Sequence, residues 1–201
     1  MTYFEYGEKE INHLRRKDKR LGAAIDKIGL IKRKINPDPF SALIESIVAQ
    51  QISAKAAATV TGRLAALCGM DQSCLHALTV EEIQACGMSK RKAGYIKGIA
   101  QAAVDGIIDF GGLGSKTDDE IIQILTALNG VGLWTVEMLL IFSLARPNVV
   151  SYSDLAIRRG MMHLYGHKDM PRDRFARYAA RYAPYGSVAS LYLWKIYDME
   201  E

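Results

Sequence analysis

The chain has 201 residues, of which 49% are hydrophobic, and its formal net charge is +4. This composition excludes a disordered chain, and the mild positive charge is compatible with a nucleic-acid partner without requiring one. The N-terminus lacks the apolar run of a signal peptide, and the longest apolar stretch, residues 138–145, is too short to cross a membrane. We therefore expect a soluble, intracellular, cytoplasmic protein.

Helical periodicity dominates the sequence and predicts an all-α fold. Apolar residues from Leu43 to Ile52 recur at three- and four-residue steps, which predicts one helix over 39–67. Seven shorter helices are predicted after it, over 80–86, 90–105, 117–128, 133–144, 154–164, 171–182 and 187–197. Thr79 is an expected N-cap, and Thr117 with Glu120 forms an expected capping box. Residues 148–152 are the one strand candidate.

Two further segments bear on domain organisation. The mixed charge run from Lys9 to Arg20 is typical of a solvated helix face, with a nucleic-acid patch as the alternative. The glycine-rich stretch 106–116 is too short to link independent domains, so we expect a single domain over 1–201.

Cysteine and histidine usage limits the possible metal chemistry. The three cysteines, Cys68, Cys74 and Cys86, are odd in number and irregularly spaced, which argues against a disulfide framework and fits a reducing cytosol. They also fall short of the thiolates that an iron–sulfur cluster takes, so no such cluster is expected. The histidines are scattered, and no side-chain metal site is predicted.

A glycine-rich turn, Leu128-Asn129-Gly130-Val131-Gly132, separates two predicted helices. Glycine permits the tight turn, and the amides and positive dipole end of the second helix favour an anion such as a phosphodiester. Such a backbone contact would be independent of base sequence. The alternative is a helix–turn–helix corner that binds no ligand.

Asp154 stands directly before an apparent helix start, Leu155-Ala156-Ile157-Arg158-Arg159. An aspartate at this position is typical of an N-cap, which is the purely structural interpretation. The other interpretation is that this carboxylate does chemistry on the molecule whose phosphate the turn binds.

Four blocks carry a family resemblance: SIVAQQISAKAAA (46–58), GMSKRKAGYIKGIA (87–100), LNGVGLWTVEMLLIFSLARPNVVSYSDLAIRR (128–159) and PYGSVASLYLWKIYD (184–198). Together they resemble the helix–hairpin–helix DNA glycosylase superfamily, and within it the alkylation-repair branch of 3-methyladenine DNA glycosylase II type. The resemblance spans about residues 40–198. It implies the glycosylase fold, with a hairpin at 125–145 and two helical lobes, 35–140 and 1–34 plus 141–201, flanking an active-site cleft.

The resemblance implies that Asp154 is the catalytic residue. Such a carboxylate stabilises the oxocarbenium character of the sugar and orients the attacking water. Trp134 stands where bifunctional branches carry a lysine nucleophile, which predicts a monofunctional enzyme without lyase activity.

The flipped base needs a pocket, and the resemblance assigns Trp134, Trp194, Tyr152 and Met138 to it. Core packing is the alternative for both tryptophans. Some relatives have a tyrosine in place of Met138, and many have an arginine in place of Gly186, so the substrate range stays open.

The remaining implied contacts are with DNA. Gln50, Gln51 and Ile52 match an intercalating turn, in which Gln51 or Ile52 fills the gap and Gln50 bonds the orphan base; a core Ile52 is the alternative. Gly130, Gly132 and Thr135 would bind phosphate. The family's hairpin often holds Na⁺ or K⁺, which here would use the carbonyl groups of Thr126, Leu128 and Val131. No cofactor is expected to be required.

The sequence thus predicts a monofunctional DNA glycosylase in base excision repair that removes alkylated bases, such as 3-methyladenine and 7-methylguanine, by base flipping. Its expected partner is double-stranded DNA with damaged bases, and we expect a nucleoid-associated monomer with no membrane partner. The alternatives are a glycosylase for another lesion, such as hypoxanthine, and a non-catalytic helix–hairpin–helix DNA-binding module.

Overall fold

The computed structural model describes residues 2–200, apart from the side chain of Glu200, so Met1 and Glu201 of the predicted domain lie outside the described residues. The described chain is mainly helical, and a short antiparallel ribbon joins β1 (Thr2–Tyr3) to β2 (Lys34–Ile35). In chain order the helices are α1 (Glu8–Lys17), α2 (Lys19–Ile28), α3 (Pro39–Ala49), α4 (Ala54–Cys68), α5 (Gln72–Ala77), α6 (Val80–Ala85), α7 (Lys90–Val104), α8 (Asp118–Thr126), α9 (Leu133–Phe142), α10 (Leu155–Tyr165), α11 (Arg172–Tyr182) and α12 (Gly186–Glu200). The predicted all-α fold is confirmed.

The chain divides into two compact units. The central unit is Asn36–Leu139, and the terminal unit combines the chain up to Ile35 with the chain from Leu140 onward, so the division falls within α9. The boundaries of the predicted lobes, 35–140 and 1–34 plus 141–201, each differ from these by one residue. Among the described helices, none is both long and apolar enough to cross a bilayer.

The central unit is organised around α7, which packs against α3, α5 and α6. Ile96 and Ile99 of α7 are buried, as are Ile44 and Ile47 of α3, so the apolar periodicity of both helices marks their shared core. A 3-10 turn, Gly111–Ser115, leads into α8, and the hairpin between α8 and α9 follows.

The terminal unit is organised around α12, which packs most extensively against α10. The approach is close because Gly160 of α10 has no side chain: a Cβ there would lie 2.1 Å from the carbonyl oxygen of Leu193. Tyr182 and Tyr192 are completely buried in this unit.

Side-chain N-caps define most of the helix starts. Ser, Thr or Asp side chains accept backbone N–H groups at the first turn of eight helices, through Asp18, Asp38, Ser53, Asp71, Thr79, Ser89, Thr117 and Asp154. The expected cap at Thr79 and the expected capping box of Thr117 and Glu120 are both confirmed.

The predicted single helix over 39–67 is wrong. The chain leaves the helix after Ala49, because Gln51 adopts a positive φ of 60°, and it restarts at Ala54 with Ser53 as N-cap. Apolar residues continue at helical spacing on both sides of this turn, which conceals the break. Ile52 is 41% exposed, so its interpretation as a core residue is also wrong.

The strand candidate at 148–152 is also wrong. Its backbone pairs with α12 instead: Ser187 Oγ accepts the Val149 N–H at 2.9 Å, and Ser190 Oγ donates to the Val149 carbonyl at 2.9 Å. Helices α1 and α2 occupy the N-terminal charge run, where they bury Ile11, Leu14 and Leu21 beneath their exposed charges.

Candidate active site

The hairpin between α8 and α9 is built on a glycine whose conformation and surroundings disfavour any side chain. Gly130 has a φ of 85°, and a Cβ on it would lie 2.2 Å from the ring of Tyr95, so the turn rests directly on that ring. Gly132 has open space around it. The first helical bond of α9 runs from the Val136 N–H to the Gly132 carbonyl at 3.2 Å. The amides before Val136 therefore form the start of a helix, where an anion is favoured.

Two further predictions concern the hairpin: a phosphate contact at Thr135 and a cation held by backbone carbonyls. Thr135 as a whole is only 3% exposed, so its contact with a phosphate stays a prediction. The Leu128 carbonyl accepts the Val131 N–H at 3.2 Å, and Thr126 is the last residue of α8, where helix carbonyls lose their intrahelical donors. Backbone carbonyls of this kind are ligands suited to hard monovalent cations.

Asp154 is the N-cap of α10 and is only 7% exposed. Its Oδ1 accepts the Ile157 N–H at 2.8 Å and the Trp194 indole N–H at 3.1 Å, while its own N–H donates to Ser151 Oγ at 3.2 Å. The α10 N-terminus favours a negative charge at this position. The structure thus holds one carboxylate in a fixed orientation with an aromatic side chain bonded to it.

Trp194 of α12 also contacts a second ring. Its indole lies 5.3 Å from Phe142 at a tilt of 32°, and the Arg33 guanidinium lies 4.5 Å above the other ring of this pair, Phe142. Neither Phe142 nor Arg33 was identified from the sequence. Phe142 is the last residue of α9 and Arg33 lies between α2 and β2, and no local sequence pattern indicates that these two side chains meet.

Tyr152 is engaged on several sides by its own unit. Its ring packs edge-on against Phe175 at 5.2 Å, and the guanidinium groups of Arg158 and Arg172 lie 5.0 Å and 4.5 Å from its centroid. Its hydroxyl donates to the Met170 carbonyl at 3.3 Å. These contacts explain the position of Tyr152 by packing, and its role in a base pocket stays a prediction.

Trp134 and Met138 lie one turn apart on α9, in the central unit. Trp134 is 41% exposed, which excludes the core-packing interpretation, whereas Met138 is only 8% exposed. Their assignment to a base pocket stays a prediction.

The turn between α3 and α4 brings the predicted wedge residues to the surface. Gln51 and Ile52 are both exposed, whereas the Gln50 side chain points back to the hairpin and donates from Nε2 to the Gly130 carbonyl at 3.1 Å. Lys92 of α7 donates to the carbonyls of Val48 and Gln50. No local sequence pattern indicates these contacts of Lys92.

These features define a mainly helical protein of the helix–hairpin–helix class, with a glycine turn before one helix and a buried carboxylate at the start of another. Residues 44–184 match the family described as HhH-GPD superfamily base excision DNA repair protein. The chain belongs to this family.

Individual proteins similar to this chain are DNA glycosylases. The DNA-3-methyladenine glycosylase 1 of Schizosaccharomyces pombe is 34% identical over 164 residues, which cover 79% of this chain and 72% of the relative. The crystal structure of a DNA-3-methyladenine glycosidase from Bacillus halodurans superposes with a TM-score of 0.87 at 36% identity, covering 100% of this chain and 95% of that one. The S. pombe 3-methyladenine DNA glycosylase in complex with abasic DNA superposes with a TM-score of 0.82 at 31% identity, covering 93% and 95%.

Proposed function

We propose that the protein is a DNA glycosylase of base excision repair that hydrolyses the N-glycosidic bond of alkylated bases. The observation that carries this proposal is the Asp154 carboxylate, buried at the start of α10 and bonded to the Trp194 indole, in a chain of the HhH-GPD family. The names of its relatives, DNA-3-methyladenine glycosylase and glycosidase, support the same substrate class.

The chemistry needs only one carboxylate. When the base leaves, positive charge develops on the deoxyribose, and an ionised Asp154 stabilises that charge and orients the water that attacks the sugar. An alkylated purine such as 3-methyladenine is already cationic and departs without a general acid. Trp194 keeps the carboxylate in place, since its N–H bonds to Oδ1.

The reaction ends at an abasic site without strand cleavage. Support for this comes from Trp134, because an indole at the position of the lysine nucleophile in bifunctional relatives cannot form a Schiff base. Water is then the attacking group.

The DNA contacts follow from the two surface turns of the central unit. The hairpin at Gly130 and Gly132 would bind a phosphate of double-stranded DNA through backbone amides, and Gln51 or Ile52 would enter the gap that the flipped nucleotide leaves. The carbonyls of Thr126, Leu128 and Val131 would hold a Na⁺ or K⁺ ion, which would add positive charge beside the phosphate. The enzyme would act as a monomer and need no other cofactor.

The decisive experiment incubates methylated DNA with the protein and identifies the released bases by chromatography. Wild type should release 3-methyladenine and 7-methylguanine, whereas Asp154→Asn should bind DNA but release no base. Asp71→Asn is the matched control, because Asp71 is also an N-cap aspartate, with its Oδ1 accepting the Cys74 N–H at 2.8 Å, and it should release bases at the wild-type rate.

Other outcomes identify the alternatives. Release of hypoxanthine instead of methylated bases would indicate a different lesion, and binding without any release would indicate a non-catalytic module. A covalent complex with DNA trapped by borohydride would contradict the absence of lyase activity.

A further inference from the structure

Helix α7 carries two lysines that make the same type of contact at different places in the central unit. The Lys92 ammonium donates to the carbonyls of Val48, at 2.8 Å, and Gln50, at the C-terminal end of α3. The Lys97 ammonium donates to the carbonyls of His76 and, at 2.8 Å, Leu78, at the C-terminal end of α5. Each lysine therefore satisfies the carbonyls at the negative end of a helix.

The two capped helix ends lead into different segments. The α5 end continues into the cap of α6 at Thr79, whereas the α3 end continues into the turn that presents Gln51 and Ile52. Lys92 is half-buried, and this burial lowers its pKa. A partly desolvated charge is therefore kept at the base of that turn rather than in solvent.

A third bond ties the same turn to the hairpin. The Gln50 side chain donates from Nε2 to the carbonyl of Gly130 at 3.1 Å, across 80 positions of sequence. Gly130 is itself held against the Tyr95 ring, where a Cβ would have no room. A hydrogen bond thus joins the turn to the hairpin, and Lys92 bonds the backbone at the base of the same turn.

The turn needs this support because its backbone is strained. Gln51 has a φ of 60°, a left-handed conformation that is strained in a non-glycine residue and persists only where the surrounding structure holds it. Within the turn, the Ile52 N–H donates to the Ala49 carbonyl over a long distance of 3.4 Å. Lys92 and Gln50 supply the shorter bonds at its base.

We propose that Lys92 and the Gln50 amide are positioning groups that preform the Gln51–Ile52 wedge and couple it to the phosphate-binding hairpin. This inference rests on the proposed glycosylase function. A hairpin seated on its phosphate then places the wedge without further ordering of the turn. Gln50 acts from within the protein, through Gly130, rather than as a donor to the orphan base.

The test compares Lys92→Met with Lys97→Met, since each change removes an α7 ammonium from the carbonyls at the end of a neighbouring helix. The first probe is a duplex with an abasic-site analogue beside 2-aminopurine, whose fluorescence rises when its stacking is disrupted. The second is the rate of base release from methylated DNA at saturating protein. Lys92→Met should lower the fluorescence rise and slow base release by about tenfold. A small displacement of the turn would misplace the flipped nucleotide, and misplacement slows a reaction even when the mutation lies far from the chemistry. Lys97→Met should change neither.

Two further variants guard against a folding defect. Lys92→Arg should restore part of both signals, since it can still donate to the carbonyls. Gln50→Leu leaves the Lys92 contacts intact but removes the donor to Gly130, and it should lower the fluorescence rise in the same way.

Equal behaviour of Lys92→Met and Lys97→Met in both assays, or a Gln50→Leu variant identical to wild type, would overturn the inference. A wild type that raises 2-aminopurine fluorescence but releases no base would refute the proposed function alone. The two failures are therefore distinguishable.

Discussion

At the scale of single residues, the Trp194 indole has a task that its ring alone does not explain. Its N–H bonds to Asp154 Oδ1 at 3.1 Å, so this side chain orients the carboxylate as well as offering an aromatic surface. Hydrogen bonds to charged groups are worth about 1.5–3 kcal/mol, which is enough to fix one rotamer of an aspartate.

Trp194→Phe separates these two tasks. Phenylalanine keeps an aromatic ring against Phe142 but has no donor for Asp154, so base release should slow by about ten- to a hundredfold. The loss of volume should lower the free energy of unfolding by only about 1–2 kcal/mol. Single-turnover release and urea unfolding measure the two quantities. A variant with the wild-type release rate would show that the indole bond does not orient the carboxylate.

Residue roles were predictable from sequence where the signal is local. The position of Asp154 before an apolar helix start predicts an N-cap, and the structure confirms that cap. Its bond to Trp194 joins residues 40 positions apart, and the Arg33 guanidinium reaches Phe142 from the other end of the chain. Such contacts depend on how the helices pack, so the spacing of residues along the sequence does not predict them.

At the scale of elements, the contact between α10 and α12 controls the geometry of the carboxylate. Asp154 caps the first of these helices and Trp194 lies on the second, one residue after Leu193. The helices approach closely only because Gly160 leaves room for the Leu193 carbonyl.

Gly160→Ala should therefore impair both folding and catalysis. The added Cβ would lie 2.1 Å from a backbone oxygen that cannot rotate away, so the helices must separate, at a cost of about 1–3 kcal/mol or more. Gly62→Ala in α4 is the control, because its Cβ would meet nothing within 4 Å and alanine favours the helix. The melting temperature and the rate of base release should both fall for Gly160→Ala and stay at wild-type values for Gly62→Ala. A stable, active Gly160→Ala protein would contradict this packing argument.

Most helices were predictable because their caps are local. The errors have physical causes. The N-terminal charge run was predicted only as a solvated helix face, because in α1 charged residues outnumber the apolar positions, such as Ile11 and Leu14, that make its buried face. The break at Gln51 was missed because its positive φ accompanies contacts that the neighbouring Gln50 makes with Lys92 and Gly130, which are distant in sequence.

At the scale of the whole molecule, stability should depend on pH through buried tyrosines. The Tyr165 hydroxyl donates to Asp18 at 2.6 Å and lies 2.8 Å from the Tyr182 hydroxyl. Burial, together with the charge of neighbouring groups, raises the pKa of both phenols well above their ordinary value. The folded chain thus retains protons that the unfolded chain releases.

The stability that these phenols contribute is complete below about pH 10, the ordinary pKa of tyrosine, and is lost as pH rises beyond it toward the raised values. Urea unfolding at increasing pH should therefore show a constant midpoint at neutral pH and a steep fall in alkali. Tyr182→Phe removes one of the two groups and should make that fall shallower. An equally steep fall in the variant would assign the alkaline sensitivity to other groups.

The division of the chain into units also bears on the order in which its parts can fold during synthesis. The central unit is one continuous segment, Asn36–Leu139, whereas the terminal unit needs residues from both ends. Domains generally fold as units during synthesis, from the N-terminus onward. The hairpin and the turn at Gln51 and Ile52 can therefore form before Asp154 and Trp194 have emerged from the ribosome, so the buried carboxylate and its indole partner are the last of these features to assemble.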